Sequence, residues 1–266
     1  MKALILAAGF GTRLKCELND YLDNPAISKE EKERACLLAE DKPKGLVLVR
    51  GKTVVDHLLQ QLVDAGISRG EVYLHTNARY FSQFKEWAVS RGIPHSNMIN
   101  NKVEQNENRL GTIGDLKHAL GVIGNRIRKD EPLIFLASDT LTYDADNNLY
   151  SFSNLVSGYV HDGVSRIVVY KGEKSRLSNH GIVESDEEGY ITGFEEKPAK
   201  PKSDQVNASV HLYNPSCLRL IMDYKGKMDN HGDLIAHLIQ RIKMKVEKIA
   251  RREDIGGLTD VFNANR

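Results

Sequence analysis

An apolar run at positions 3–6 leads straight into the sequence LAAGFGTRL at 6–14. So short a run, ended by glycines, reads as a buried strand that stops at a loop. Gly9 and Gly11 let the backbone approach oxygen atoms closely and turn successive N–H groups toward them, while Arg13 adds a forked cationic donor. The loop is a candidate cradle for a triphosphate. Two familiar phosphate loops do not match. The dinucleotide fingerprint wants a third glycine where Leu14 stands, and no Gly-Lys-Ser/Thr closes a P-loop. On pattern alone an ordinary structural turn is the rival reading.

Residues 46–49, 72–75 and 133–137 read as further strands. Helical spacing fills 53–65, 80–89 and 114–123, with Val54, Val55, Leu58, Leu59, Leu62 and Val63 on one face of the first. Strand–helix alternation predicts an α/β fold, a Rossmann-like doubly wound sheet with parallel strands and right-handed crossovers. Ligands of such sheets sit beyond the carboxyl ends of the strands, where residues 9–13 and Ser138–Asp139 would fall. The second half is more turn-punctuated. Strands expected at 165–170, 181–184, 190–195 and 206–213 predict a smaller mixed subsheet, followed by helices at 215–222 and 233–241, a strand at 244–250 and a helix at 258–264.

Composition excludes several classes. Lys plus Arg number 37 against 36 Asp plus Glu, a net charge of +1, which argues against a nucleic-acid or membrane-surface binder. Cys16, Cys36 and Cys217 lack CxxC spacing and read as free thiols of a reducing, cytoplasmic protein. The apolar stretch 3–8 is too short for a signal peptide, and no run approaches the roughly 20 residues of a membrane helix. None of the nine histidines has zinc-site spacing; His75, His118, His211, His231 and the rest read as surface or packing residues.

The glycine loop is followed, in order, by KPKGL at 42–46, LGTIG at 110–114, Ser138-Asp139, EEKP at 195–198, Val206-Asn207-Ala208 and Asp254-Ile255-Gly256. This series resembles the sugar-1-phosphate nucleotidyltransferases. The resemblance implies one domain over 1–266, with a nucleotide-binding lobe over 1–145 and a sugar-phosphate-binding lobe over 146–266. It also implies transfer of a nucleotidyl group from a nucleoside triphosphate to a sugar 1-phosphate, releasing pyrophosphate, with Mg2+ as cofactor. That reaction needs no side-chain nucleophile, because the attacking phosphate is already anionic; it needs cations and amides that hold two polyanions together.

By the resemblance, Arg13, Lys44 and Lys197 are the catalytic cations, Lys197 holding the sugar's phosphate. Leu6, Ala8, Gly9, Gly11, Thr12, Gly111 and Thr112 bind the nucleotide, with Gln105 or Glu104 reading the base. Gly181, Glu196 and Asn207 contact the sugar, and Asp139 and Asp254 hold the metal. A carboxylate after a strand suits magnesium, which takes one or two carboxylates plus phosphate oxygens; a turn cap is the bland alternative for Asp139. The chain departs from the family at Ser138 and Ser209, where glycine is usual, and at Arg251 or Arg252, where an aromatic is usual. It also inserts residues 15–41, with a helix expected over 30–40 and a Ser28–Glu31 capping box. The insertion reads as a lid, a homo-oligomer contact or a plain surface helix.

The LGTIG segment leans toward guanylyltransferase-like members, with thymidylyl- and uridylyltransferases next. Another phosphorylated alcohol as acceptor, such as a heptose or a polyol, and a non-catalytic nucleotide-sugar-binding regulator are the rivals. A nicotinamide-dependent dehydrogenase is disfavoured by the absent third glycine.

Overall fold

The computed structural model describes all residues from 1 to 266. The first half contains β1 (Lys2–Ala7), α1 (Thr12–Asp23), α2 (Lys29–Ala39), β2 (Leu48–Val49), β3 (Lys52–Thr53), α3 (Val54–Asp64), β4 (Val72–Thr76), α4 (Phe81–Ser90), β5 (Met98–Asn100), α5 (Thr112–Ile123), β6 (Leu133–Ala137) and β7 (Thr140–Tyr143). The second contains α6 (Ser153–Asp162), β8 (Ser165–Lys171), β9 (Gly181–Ser185), β10 (Ile191–Glu196), β11 (Gln205–Tyr213), α7 (Pro215–Asp223), α8 (His231–Ile239), β12 (Met244–Ile249), β13 (Arg251–Asp254) and α9 (Leu258–Ala264).

Nine strands form one mixed sheet, and the expected subsheet of the second half is continuous with it. β4 and β6 flank β1 in parallel, and β5 extends β4. β11 then pairs antiparallel with β6, and beyond it lie β8 and β12. Every residue of β1 is buried, as the continuous apolar run requires of a strand covered on both faces. Ala3, Ile5 and Ala7 face a core shared with α1–α4, α6 and α9, while Leu4 and Leu6 face one shared with α5, α7 and α8.

The strand expected at 46–49 is corrected by the structure. Lys44–Leu46 is a 3-10 turn, and only Leu48–Val49 is extended, pairing with β3 outside the main sheet. Arg50 and Gly51 both have positive φ (50° and 79°), the two-residue hairpin geometry that turns the chain back at once. The inserted segment forms two helices, and the Ser28–Glu31 capping box closes the start of α2. Leu14, Leu18, Ala35 and Leu38 bury the inner faces of this pair in the main core.

Asp56 ties α3 to α4. It forms a capping box with Thr53 and accepts from Trp87 Nε1 at 2.9 Å and Arg91 Nε at 2.7 Å. Burial alone would raise its pKa, but hydrogen bonds from Arg91, Trp87 and Thr53 outweigh it and hold the carboxyl at about 2, below its usual 3.8. A depressed folded pKa stabilises the fold above the unfolded value, and that contribution is lost as pH falls toward 2. Asp56→Ala should therefore lower stability by about 1–2 kcal/mol at neutral pH and by progressively less in acid. Urea unfolding of both proteins at neutral pH and near pH 3 checks this.

Candidate active site

Leu6 lies opposite Ala137 across the β1–β6 pairing, and the Ser138 N–H donates to the Leu6 carbonyl at 3.0 Å. The two strands end at one level, so the glycine loop and Asp139 share a rim. The loop runs directly into α1, whose N-cap is Gly11 with φ 64° and no side-chain acceptor. The N–H groups of that first turn are left open to an anion. The sequence holds no capping residue that would announce this helix.

Leu6, Ala8, Gly9, Gly11, Thr12 and Arg13 line a cleft of about 480 Å3, together with Lys44, Asp139 and Asn207. Gly111 and Thr112 enter at the start of α5. Gly111 has φ 77°, and a Cβ there would run into the Met228 carbonyl, which accepts from Ile113 N–H at 2.9 Å. Only glycine fits this approach. Gln105 lies outside the cleft, exposed, ahead of the turn Asn106–Asn108.

Lys44 Nζ sits 3.0 Å from Asp139 Oδ2 with both side chains largely covered. Arg13 donates through Nε to the Gly256 carbonyl at 3.1 Å and lies 3.4 Å from Asp260. A side chain at position 256 would occupy the guanidinium's place. Asp254 Oδ1 accepts from Thr140 Oγ1 at 3.2 Å and from Arg252 Nε at 2.8 Å. It lines a neighbouring cavity of about 350 Å3 with Arg176, His180 and Asp260. The two aspartate segments meet where Ile255 N–H donates to the Asp139 carbonyl at 2.8 Å.

Gly181 and Glu196 are cross-strand partners at the end of the β9–β10 hairpin, and Glu196 lies against Gly181 and Gly232. Burial raises the Glu196 pKa, with Lys197 opposing. Lys197 is exposed and left-handed, with φ 49°, although Pro198 follows; its N–H donates to the His180 carbonyl at 3.0 Å. A residue before proline normally stays extended, so strain is held at this point. Gly181, Glu196 and Lys197 are thus brought together, but none lines the main cleft.

Two histidines read as surface or packing residues are packed against Phe135 and also line the cleft: His211 on β11 and His231 at the start of α8. Phe135 and His231 stack at 4.7 Å, and His231 on His211 at 4.6 Å. Asn207 Oδ1 already accepts Ser209 N–H at 3.0 Å, so the His211 nitrogen 2.9 Å from it must be the donor. His211 Nδ1 then accepts from the Tyr213 hydroxyl at 3.0 Å, and that hydroxyl accepts in turn from His231 Nε2 at 2.6 Å. Burial keeps both imidazoles neutral, with His211 well below its ordinary pKa and His231 lowered to about 3. The signal was in the sequence: Gln205, Asn207, Ser209, His211 and Tyr213 alternate with Val206, Ala208, Val210 and Leu212, a strand with one polar face. Asp115, also in the cleft, carried no motif.

A family model described as nucleotidyl transferase matches residues 32–266. The chain belongs to that family. Among its relatives, the mannose-1-phosphate guanylyltransferase catalytic subunit beta of Drosophila pseudoobscura pseudoobscura is 31% identical, over 83% of this chain and 50% of the relative. A UTP–glucose-1-phosphate uridylyltransferase of Haloferax volcanii is 27% identical over 81% of this chain and 73% of its own length. The chain spans about half the length of the guanylyltransferases it matches. In fold it resembles a Bacillus anthracis protein assigned as a glucose-1-phosphate thymidylyltransferase, with TM-score 0.73 at 17% identity and coverage of 100% and 94%. An Acinetobacter UDP-glucose pyrophosphorylase gives 0.68 at 19%, with coverage of 99% and 91%. This nucleotidyl transferase family member also has no helix long and apolar enough to cross a membrane.

Tyr213→Phe would leave one ring nitrogen on each of His211 and His231 without its partner. The expected loss of stability is about 1–3 kcal/mol, read by thermal or urea unfolding. An unchanged midpoint would show that the network contributes nothing.

Proposed function

We propose that the protein transfers a nucleotidyl group from a nucleoside triphosphate to a sugar 1-phosphate, giving a nucleoside-diphosphate sugar and pyrophosphate. The observation that carries this reading is the single cleft that gathers an uncapped helix start, Arg13, Lys44 and Asp139. Mannose 1-phosphate and glucose 1-phosphate, the substrates that the relatives' names give, are the first acceptors to test. Residues 1–145 would hold the nucleotide, and 146–266 the sugar phosphate.

The acceptor phosphate is dianionic near neutral pH, its second pKa lying near ~6, so no base is needed. One of its oxygens attacks the α-phosphorus; the bond from that phosphorus to the bridging oxygen of pyrophosphate breaks, and the electron pair leaves with pyrophosphate. The N–H groups at Gly11–Arg13 and the Lys44 ammonium would bind the tail and stabilise charge as it moves to the leaving group. Lys197 would hold the incoming phosphate, with Glu196, Gly181 and Asn207 orienting the sugar. Burial favours the neutral form of Glu196, which can donate as well as accept.

Asp139 Oδ1 and Asp254 Oδ2 accept no protein hydrogen bond, and no three metal-ligating side chains converge. That donor set fits magnesium arriving with substrate phosphates and does not form a complete protein cage. Asp139 and Asp254 would hold it, and when bound it would neutralise phosphate charge. The three unpaired cysteines support a reducing, cytoplasmic setting.

Pyrophosphate release from ATP, GTP, CTP, UTP and dTTP against a panel of sugar 1-phosphates tests the reading; nucleotide binding without release for any pair would sink it. Asp139→Asn should lower kcat by ~100-fold or more with the fold intact, as expected when a charge-stabilising group is removed. Lys197→Ala should raise the sugar-phosphate KM about tenfold or more while the nucleotide KM stays put. Steady-state kinetics with each substrate varied in turn separate the two effects.

A further inference from the structure

We propose that Asp115 is the residue that reads the nucleotide's base, selecting guanine through the paired N–H donors of its N1 and exocyclic N2. This rests on the reading that the cleft binds a nucleoside triphosphate.

Asp115 sits one turn into α5, where its N–H donates to the Gly111 carbonyl at 2.8 Å, and its side chain lines the cleft. The residue is only 8% exposed. Oδ1 accepts the Asn101 amide at 2.8 Å, and Oδ2 accepts from no protein group. No lysine or arginine pairs with this carboxylate. The nearest basic side chain is His75, 3.9 Å away, which burial keeps neutral with a pKa lowered to about 3. A covered carboxylate with an open oxygen and no counter-charge needs neutral donors from whatever fills the cleft.

Position along the cleft says which part of the substrate supplies them. Asn101 follows β5 and His75 lies on β4, so Asp115 sits toward the β4–β5 side. Arg13, Lys44 and Asp139 gather at the ends of β1 and β6, and Asn207 lies beyond them on β11. The order is therefore Asp115, then Arg13 and Lys44, then the sugar-side residues, while Arg109, the cleft's third cation, is held by Asp229 at 3.6 Å. A carboxylate would repel phosphate, and the part of a nucleotide farthest from its tail is the base.

Base chemistry then decides. Guanine offers two adjacent N–H donors at the spacing of a carboxylate's two oxygens. Uracil and thymine flank their single N–H with carbonyl oxygens, and adenine and cytosine set a bare ring nitrogen beside their amine, so each would bring a lone pair against Asp115. Asn101 need not move, because a carboxylate oxygen has room for a second donor and Oδ1 can accept from the base as well as from the Asn101 amide.

Calorimetric titration with GTP, ITP, UTP, dTTP or ATP, without sugar phosphate, tests the assignment on wild type, Asp115→Asn and Asp115→Glu, with thermal unfolding as the check on folding. Wild type should bind GTP most tightly. ITP, which keeps N1–H but lacks the amine, should bind about tenfold more weakly, and Asp115→Asn should lose about 10–100-fold for GTP with little loss for UTP. Asp115→Glu, one methylene too long, should also lose GTP. Tighter binding of UTP or dTTP by wild type, ITP equal to GTP, or a folded Asp115→Asn that keeps full GTP affinity would each overturn the inference. Pyrophosphate release with another nucleotide would leave nucleotidyl transfer standing. Asp115-dependent GTP binding without release from any sugar 1-phosphate would sink the transfer reading and leave this one.

Discussion

The parallel pairing of β1 with β6 is the constraint from which the rest of the site follows. Both strands are apolar and covered on both faces, so burial fixes their register, Leu6 against Ala137. That register sets the glycine loop and Asp139 at one height. Lys44 arrives from the segment ahead of the β2–β3 hairpin and pairs with Asp139, while Arg13 reaches from α1 to the Gly256 loop after β13. A chain with a net charge of +1 thus sets Arg13, Lys44 and Arg109 against Asp115, Asp139 and Asp229 in one cleft.

Much of this was legible because periodicity and punctuation act locally. β1, β4 and β6 announce themselves as short apolar runs, and Ser28 with Glu31 marks the start of α2 as a capping box. What escaped depends on tertiary placement. α1 begins at a glycine held open toward the cleft, so the usual start signal is absent where an anion would supply it. Residues 46–49 are apolar enough for a sheet strand, yet the left-handed pair Arg50–Gly51 returns the chain before it can join.

The same division holds within the site. Gly9, Arg13, Lys44 and Asp139 carry motifs, because backbone approach and charge demand particular residue types. Asp115, His211 and His231 carry none. An aspartate inside a helix and histidines scattered along the chain look like surface or packing choices until the fold buries them under one cleft. Their environment, a carboxylate without a cation and imidazoles stacked on Phe135, is created by strands far apart in sequence.

The two ends of the cleft are built differently. The end holding Asp115 stands on β4, β5 and α5, each packed into the sheet's own core. The other end depends on β11, whose later residues pair with β6 and whose first two pair with β9 on the same edge. Between them the strand is irregular, and Ser209 takes the left-handed φ of 59° while its N–H is held by Asn207. That break opens the edge of β11 to the cleft beside Asn207. The β9–β10 hairpin carrying Gly181, Glu196 and Lys197 is placed from its other side by α8, where a Cβ on Gly232 would displace the Glu196 carboxylate. Since His231 of the same helix lines the cleft, α8 links the hairpin to the β11 wall of the cleft. The Asp115 end is therefore set by the sheet itself, whereas the geometry of the Asn207 end depends on a helix laid over a strand break.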